Sequence, residues 1–215
     1  SATLPLPGVH AVLLDEKGQK IDAHEAEGVL CLDGSWPGRA LTIWRDDALF
    51  ETTYLKPYPG HYFTGDGAYR DADGYYWITG RVDDVINVSG HRIGSAELED
   101  AIAADRDIAE CAAIGVPHAL KGQAIVVFAV PRDPNAADTR KITDGILKTV
   151  ARQVGRYAVP ETIHLVHDLP KTRSGKSVRR LLRKIACGDT ENLGDLSTLV
   201  DPSVVAALIE AVQAT

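Results

Sequence analysis

Two short apolar runs constrain this chain most: AECAAIG at 109–115 and QAIVVFAV at 123–130. Runs of this length and composition, bounded by Gly, Pro and charged residues, read as buried strands. A helix is expected before them, from Ser95 to about residue 104. Ser95 can cap it, Glu97 and Glu99 sit in its positive first turn, and Leu98, Ala101 and Ile102 form its apolar stripe. A second helix is expected from about 139 to 154, burying Ile142, Ile146, Leu147, Val150 and Val154. ETIHLVH (161–167) reads as a further strand, and a short strand or hairpin near 85–93 precedes the set. The order helix, strand, strand, helix, strand predicts an α+β sandwich, an antiparallel sheet with helices on one face.

Two more helices follow. Val178, Leu181, Leu182 and Ile185 fall at helical spacing after Ser177, and Gly188 ends the pattern. Asp201-Pro202 reads as an N-cap with proline at the first helical position, ahead of Val204, Val205, Leu208, Ile209 and Val212. Residues 1–80 are different in character. VHAVLL, a turn at Glu16-Lys17-Gly18, and GVLCL suggest strand, turn and strand, with TIW (42–44) and YYWIT (75–79) as further strand candidates. Pro-Gly pairs at 7–8, 37–38 and 59–60 punctuate the region. It holds few long apolar stretches and reads as the end of a larger domain.

Composition narrows the function classes. Of 215 residues, 45% are hydrophobic, enough for a packed core and too many for a disordered chain. No run of 18 apolar residues occurs, so no membrane span is expected, and the N-terminus lacks the pattern of a signal peptide. A start at Ser1 without Met suggests a fragment or processed chain. The formal charge of −7 argues against general nucleic-acid binding. Cys31, Cys111 and Cys187 lie far apart, with no CxxC or metal spacing, and read as idle thiols of a reducing, cytoplasmic compartment.

The stretch PKTRSGKS (170–177) carries the sharpest chemical signal. Gly175, Lys176 and Ser177 fit a phosphate-binding P-loop, but Pro170 stands at the first glycine position, removes a donor and fixes φ. What remains is Lys176 on a Gly-containing loop before a helix, clustered with Lys171, Arg173, Arg179 and Arg180, with a solvated basic face as the plainer alternative. Two other stretches join it. YFTGD (62–66) presents Asp66 after a glycine turn, suited to ribose hydroxyls. GRVDDVINVSGHRIGSAELE (80–99) places Arg81 and Arg92 around a polar turn, with Asp83 and Asp84 reading as an acidic linker.

In this order and spacing the three stretches resemble the adenylate-forming superfamily, and most nearly its AMP-forming acetyl-CoA synthetases. SWPGRA (35–40), DGYYWITGR (73–81), KGQAI (121–125) and LRKIACGDTENLGDLSTLVDP (182–202) extend the resemblance over essentially the whole chain. The resemblance implies a ligase that makes acetyl-adenylate from acetate and ATP, then passes the acetyl group to coenzyme A and releases AMP. It implies residues 1–82 as the end of a large adenylation domain and 83–215 as a small C-terminal domain. Asp83 would be the hinge between them and 170–177 the catalytic-lysine loop. Nucleotide contacts fall on Asp66, Ile78, Arg81, Asn87 and Arg92, coenzyme A contacts on Ser89, Gly90 and Arg152, and catalysis on Lys176. Lys176 would also be the target of a protein lysine acetyltransferase and an NAD-dependent deacetylase. A magnesium ion is implied at Ala103, Asp105 and Ile108. One departure is plain: Ala151-Arg152 stands where the family carries Arg-Lys, which puts the coenzyme A phosphate contact in question.

The resemblance also implies that the family's own phosphate loop and acyl pocket lie upstream of Ser1, so the chain by itself is expected to be inactive in adenylation. Two other readings compete: a non-catalytic module presenting Lys176 for acetylation, and a synthetase for propionate or another short acid.

Overall fold

The computed structural model of the chain describes residues 1–15, 17–134 and 138–214. They divide into two compact units, Ser1–Asp83 and Asp84–Thr215.

The first unit is built on a four-stranded antiparallel sheet in the order β1 (His10–Leu14), β2 (Ala26–Asp33), β3 (His61–Arg70), β4 (Tyr76–Arg81). Alternation sends Val12, Leu14, Val29 and Cys31 into one buried cluster, and Leu13, Ala26, Ala68 and Tyr76 into another on the opposite face. The expected strand at 42–44 does not form. Leu41 and Trp44 are exposed, and the chain turns there into a short helix α1 (Asp47–Phe50) continued by a π-helical turn, Glu51–Leu55. Asp46 caps α1 by accepting from the Leu49 N–H at 2.9 Å. The segment is seated by aromatic contacts: Tyr54 stacks on Tyr62 at 5.1 Å, and Trp36 meets Tyr62 edge-on at 5.4 Å. The expected turn at 16–18 lies partly outside the described residues; within it Asp15 accepts from the Lys17 and Gln19 N–H groups.

The second unit is α+β. Its sheet runs β6 (His91–Gly94), β5 (Val85–Val88), β8 (Gly122–Pro131), β7 (Ile108–His118), with β9 (Thr162–Leu165) also paired to β8. The β7–β8 pairing is long, from Ile108↔Pro131 to His118↔Gly122. β9 joins parallel, not antiparallel. It follows β8 through the helix α3 (Thr139–Gln153), and a strand–helix–strand crossover returns the chain in the same direction. The helices also cover both faces of the sheet instead of one. α2 (Ser95–Ala103) and α3 pack with Ile86, Ile93, Ala113, Ile125 and Val127 on one side. α4 (Arg179–Ala186) and α5 (Val204–Gln213) pack with Ala112, Ile114, Val126 and Phe128 on the other. A strand covered on both faces has no polar side to show, which is why the two runs are apolar without alternation.

Helix starts move by a residue or two from their expected places. Gly94, not Ser95, is the N-cap of α2, and Ser95 is buried as its first residue. α4 begins after Val178 and not at Ser177. α5 begins at Val204 because Asp201 binds the N–H and hydroxyl of Ser203, making a separate turn first. Among the described residues, no helix is long and apolar enough to cross a membrane.

His164 on β9 is buried, lies 5.0 Å from the Phe128 ring and hydrogen-bonds the backbone of Ala211 in α5. Burial holds its pKa below the ordinary histidine value, and the bond to Ala211 opposes that only in part. The unfolded chain therefore takes up this proton at higher pH than the folded one. Stability is lost as pH falls below about 6.5 and continues to fall until the lower native pKa is reached. Thermal unfolding followed from about pH 7 to pH 5 should show a declining Tm, and His164→Leu should flatten that decline.

Candidate functional site

The first group of expected site residues lies on β3 and β4. Asp66 and Arg81 are register partners, and their side chains approach at 3.8 Å. Gly65 makes this possible. Its φ is +83°, and a Cβ there would lie 2.5 Å from the Arg81 guanidinium, so the arginine lies directly across the glycine. Arg81 also donates to the Asp83 carboxylate at 3.0 Å and to the Thr64 carbonyl at 3.4 Å. Asp66 is two-thirds covered and takes its backbone orientation from Thr64, whose hydroxyl accepts the Asp66 N–H. The result is a carboxylate and a guanidinium side by side at a strand edge, with Ile78 exposed further along β4. Such a pair can accept from a diol and donate to a phosphate.

The second group is the β5–β6 hairpin. Its loop is two residues, Ser89 (φ +51°) and Gly90 (φ +87°), with Val88 paired to His91. Positive φ at both positions is the tight turn that suits strand twist. Gly90 is required by that φ, since a Cβ there would meet nothing within 4 Å. Asn87 and Arg92 are register partners on the exposed side of the hairpin. The Asn87 N–H donates to the Gln123 side chain at 2.7 Å, and the Ser89 N–H to the Lys121 carbonyl at 2.8 Å. Beside Ser89 lies a cleft of about 170 Å³, lined by Val88, Lys121, Arg156, Tyr157 and Glu161 among others. The Tyr157 ring stacks on His91 at 4.3 Å. Arg152, on the last turn of α3, does not line this cleft; Arg156 does. No motif in the sequence marks Arg156 out, although Lys121 opens the KGQAI stretch.

The third group is the loop before α4, which is a hydrogen-bonded turn. Lys171 and Ser177 form a bridge, the Thr172 N–H donates to the Lys176 carbonyl at 2.9 Å, and the Gly175 N–H donates to the Thr172 carbonyl at 2.8 Å. The Thr172 hydroxyl also accepts the Lys176 N–H. Gly175 is there for its φ of +81°, which closes the turn. The basic cluster separates into two kinds of cation. Lys171 is bound by Glu110 at 2.6 Å and Asp168 at 3.0 Å, and these partners raise its pKa. Arg179 makes a two-point contact with Glu99 and a third with Asp84 at 3.2 Å. Glu99 in turn accepts the Ala113 N–H at 2.9 Å, tying the pair to β7. Arg183 adds a bond to the Gly115 carbonyl. Lys176 is exposed, and among the described residues no carboxylate pairs with it. The turn therefore displays the Lys176 ammonium beside an exposed Arg173, while Lys171 and Arg179 are committed to structure.

The positions expected to hold magnesium do not make a cage for it. Ala103 is exposed at the end of α2, and Ile108 is buried at the start of β7. One Asp105 oxygen accepts the Asp107 N–H at 3.0 Å, and the other faces Gly145 of α3, where a Cβ would come within 2.8 Å. Magnesium takes near-octahedral oxygen ligands at close range, and the Asp105 carboxylate and the Ile108 carbonyl already have other neighbours. Among the described residues no cluster of three or more His, Cys, Asp or Glu could hold a metal. The three thiols are apart as well: Cys31 is buried, Cys111 half-buried and Cys187 exposed, and burial pushes the first two up to about 12.

Residues 97–176 match the family described as AMP-binding enzyme C-terminal domain. The chain is 54% identical over 97% of its length to acetyl-coenzyme A synthetase 2 of Pseudomonas putida, covering 32% of that protein. It is 49% identical over its full length to acetyl-coenzyme A synthetase 1 of Debaryomyces hansenii, again covering 32%. The chain thus spans about a third of the length of these curated relatives. In fold it is similar to acetoacetyl-CoA synthetase from Streptomyces lividans, with a TM-score of 0.84 over 99% of this chain and 32% of that one, at 21% identity.

The Arg179 contacts make a prediction of their own. Arg179, Glu99 and Asp84 are each mostly covered, so removing the guanidinium leaves two carboxylates poorly solvated. Arg179→Met should destabilise the second unit by about 2–3 kcal/mol, at or below the low end of the range for breaking a fully buried pair. Urea unfolding measures this, and Glu99→Gln in the Arg179→Met background should recover part of the loss.

Proposed function

We propose that this chain, whose residues 97–176 are an AMP-binding enzyme C-terminal domain, works as part of an AMP-forming acetyl-CoA synthetase. The observation that carries the reading is the agreement with acetyl-coenzyme A synthetases along the whole chain, near 50% identity, and not over one motif alone. In the proposed reaction an acetate oxygen attacks the α-phosphorus of ATP, pyrophosphate leaves, and acetyl-adenylate forms. The thiol of coenzyme A then attacks the acetyl carbon, and AMP leaves. Propionate as the preferred acid has no observation of its own in its favour.

The geometry supports a role for each group. Asp66 is the acceptor for the ribose hydroxyls, and Arg81, held across Gly65, is a donor to the same nucleotide. Ile78, Asn87 and Arg92 complete the proposed nucleotide contacts. Lys176 stabilises the negative charge that gathers between acetate and α-phosphate as the new bond forms, a task for an ammonium that no carboxylate pairs with among the described residues. Ser89 and Gly90 flank the passage for the coenzyme A arm. Arg156 is, with Lys121, a cation at that cleft, and it is the proposed partner for the coenzyme A phosphate that Ala151 cannot bind. Asp83 is the proposed hinge, at the residue where the first unit ends. Lys176 is exposed enough to be acetylated, which would remove its charge.

The decisive experiment is Lys176→Ala in the complete synthetase. Acetate-dependent ATP–pyrophosphate exchange should fall by at least about 100-fold, the scale of losing one charge-stabilising donor. Thioester formation from supplied acetyl-adenylate should remain near wild type. Equal loss of both half-reactions would remove Lys176 from its proposed role. In the same protein, Arg156→Ala should raise KM for coenzyme A about tenfold and leave the exchange reaction unchanged, whereas Arg152→Ala should do neither.

A further inference from the structure

One of the three positions where magnesium was expected has its carbonyl taken by an arginine. The turn from α2 into β7 presents the carbonyls of Arg106, Asp107 and Ile108, and all three are engaged by one residue, Arg132, just beyond β8. Its backbone N–H donates to the Asp107 carbonyl at 2.8 Å. Its guanidinium donates from Nε to the Arg106 carbonyl at 3.1 Å and from Nη2 to the Ile108 carbonyl at 3.0 Å. Ile108 is one of the three expected metal positions. A second, Asp105, has one carboxylate oxygen on the Asp107 N–H and its carbonyl on the Ile108 N–H at 3.2 Å.

We propose that Arg132 is the built-in cation of this turn, and that the chain binds no magnesium at Ala103, Asp105 and Ile108. The argument is electrostatic and geometric. Carbonyl oxygens presented together on a turn are donors of the kind that hold a cation. A planar guanidinium satisfies two of them at once, through two donors of fixed geometry. A magnesium ion on the Ile108 carbonyl would stand only a few ångströms from that guanidinium, where like charges repel. It would also need Asp105 to leave the Asp107 N–H and the close approach to Gly145, a glycine in the interior of α3 whose missing Cβ makes room for that carboxylate. The cation here belongs to the chain. Its task is to fix the α2–β7 turn, and no reaction step is involved, so the inference stands apart from the proposed synthetase activity.

The test is a titration of the 215-residue chain, labelled with nitrogen-15, with magnesium chloride and then with manganese as a paramagnetic probe. The expected result is no saturable shift of the amides of residues 103–108 at millimolar magnesium. Manganese should broaden those amides no more than it broadens those beside exposed acids such as Asp73. A saturable, one-to-one response centred on 103–108 would overturn the proposal. Arg132→Met should lower Tm by about 2–4 °C, the shift for losing roughly one kilocalorie per mole in a chain of this size, and speed hydrogen exchange at 106–108. An Arg132→Met protein with unchanged Tm and exchange would equally overturn it. Should that variant not fold, the titration of the wild-type chain still decides.

Discussion

The second unit depends on the β7–β8 ladder. Ten register pairs hold the two strands together, from Ile108↔Pro131 to His118↔Gly122. Because side chains alternate, the ladder feeds two cores: Ala113, Ile125 and Val127 face α2 and α3, while Ala112, Ile114, Val126 and Phe128 face α4 and α5. Each buried aliphatic or aromatic side chain contributes on the order of 1.5–3 kcal/mol. Other features hang on this ladder. It carries Gly115, which meets Arg183, Ala113, which meets Glu99, and Gln123, which holds the β5–β6 hairpin. A slip of one residue would exchange the two cores and undo all three contacts together.

The charged contacts refine what the ladder sets up. The loop before α4 has a run of basic residues, and a run of like charges is ordinarily just a solvated face. Here it is divided by partners. Lys171 goes to Glu110 and Asp168, and Arg179 to Glu99 and Asp84. Lys176 and Arg173 are left on a turn closed by Thr172, and among the described residues no carboxylate pairs with either. The division follows from position: Lys171 lies before the turn and Arg179 after it, where the chain runs against the body of the unit, and Lys176 stands at the turn itself. An ammonium placed this way stands clear of the carboxylates while the backbone beneath it is held by hydrogen bonds.

Much of this was legible in the sequence, and the rest has identifiable reasons. The strands 109–115 and 123–130 and the helix near 139–154 were readable because apolar content and period state them locally. That helices cover both faces was not read, although the lack of alternation in those two strands was its trace. β9 was read as a strand but not as parallel, since its direction follows from the α3 crossover. TIW at 42–44 has strand propensity, yet it sits beside Asp46-Asp47, a cap signal for the helical segment that follows. Asp66, Arg81 and Lys176 were read from local motifs. Arg156 and Arg132 were not, because each matters through a neighbour distant in sequence.

That contrast has a physical basis. The residues found by motif sit on turns whose shape is set within a few positions: Ser89-Gly90 by positive φ at both, Thr172–Gly175 by a threonine and a glycine, Arg81 by the absent Cβ of Gly65. A short string of residues encodes both such a turn and the group it displays, so the string is informative alone. Arg132 has no such string. Its guanidinium reaches the Arg106 and Ile108 carbonyls because β8 ends where β7 begins, a fact of strand register. The same holds for Lys121, whose carbonyl takes the Ser89 N–H because β5 pairs with β8 at Val88↔Gly122. A pattern of residues can therefore point to a metal at a turn while the register delivers an arginine to it, and in that case the contacts made by the carbonyls are the better guide to which cation the turn holds.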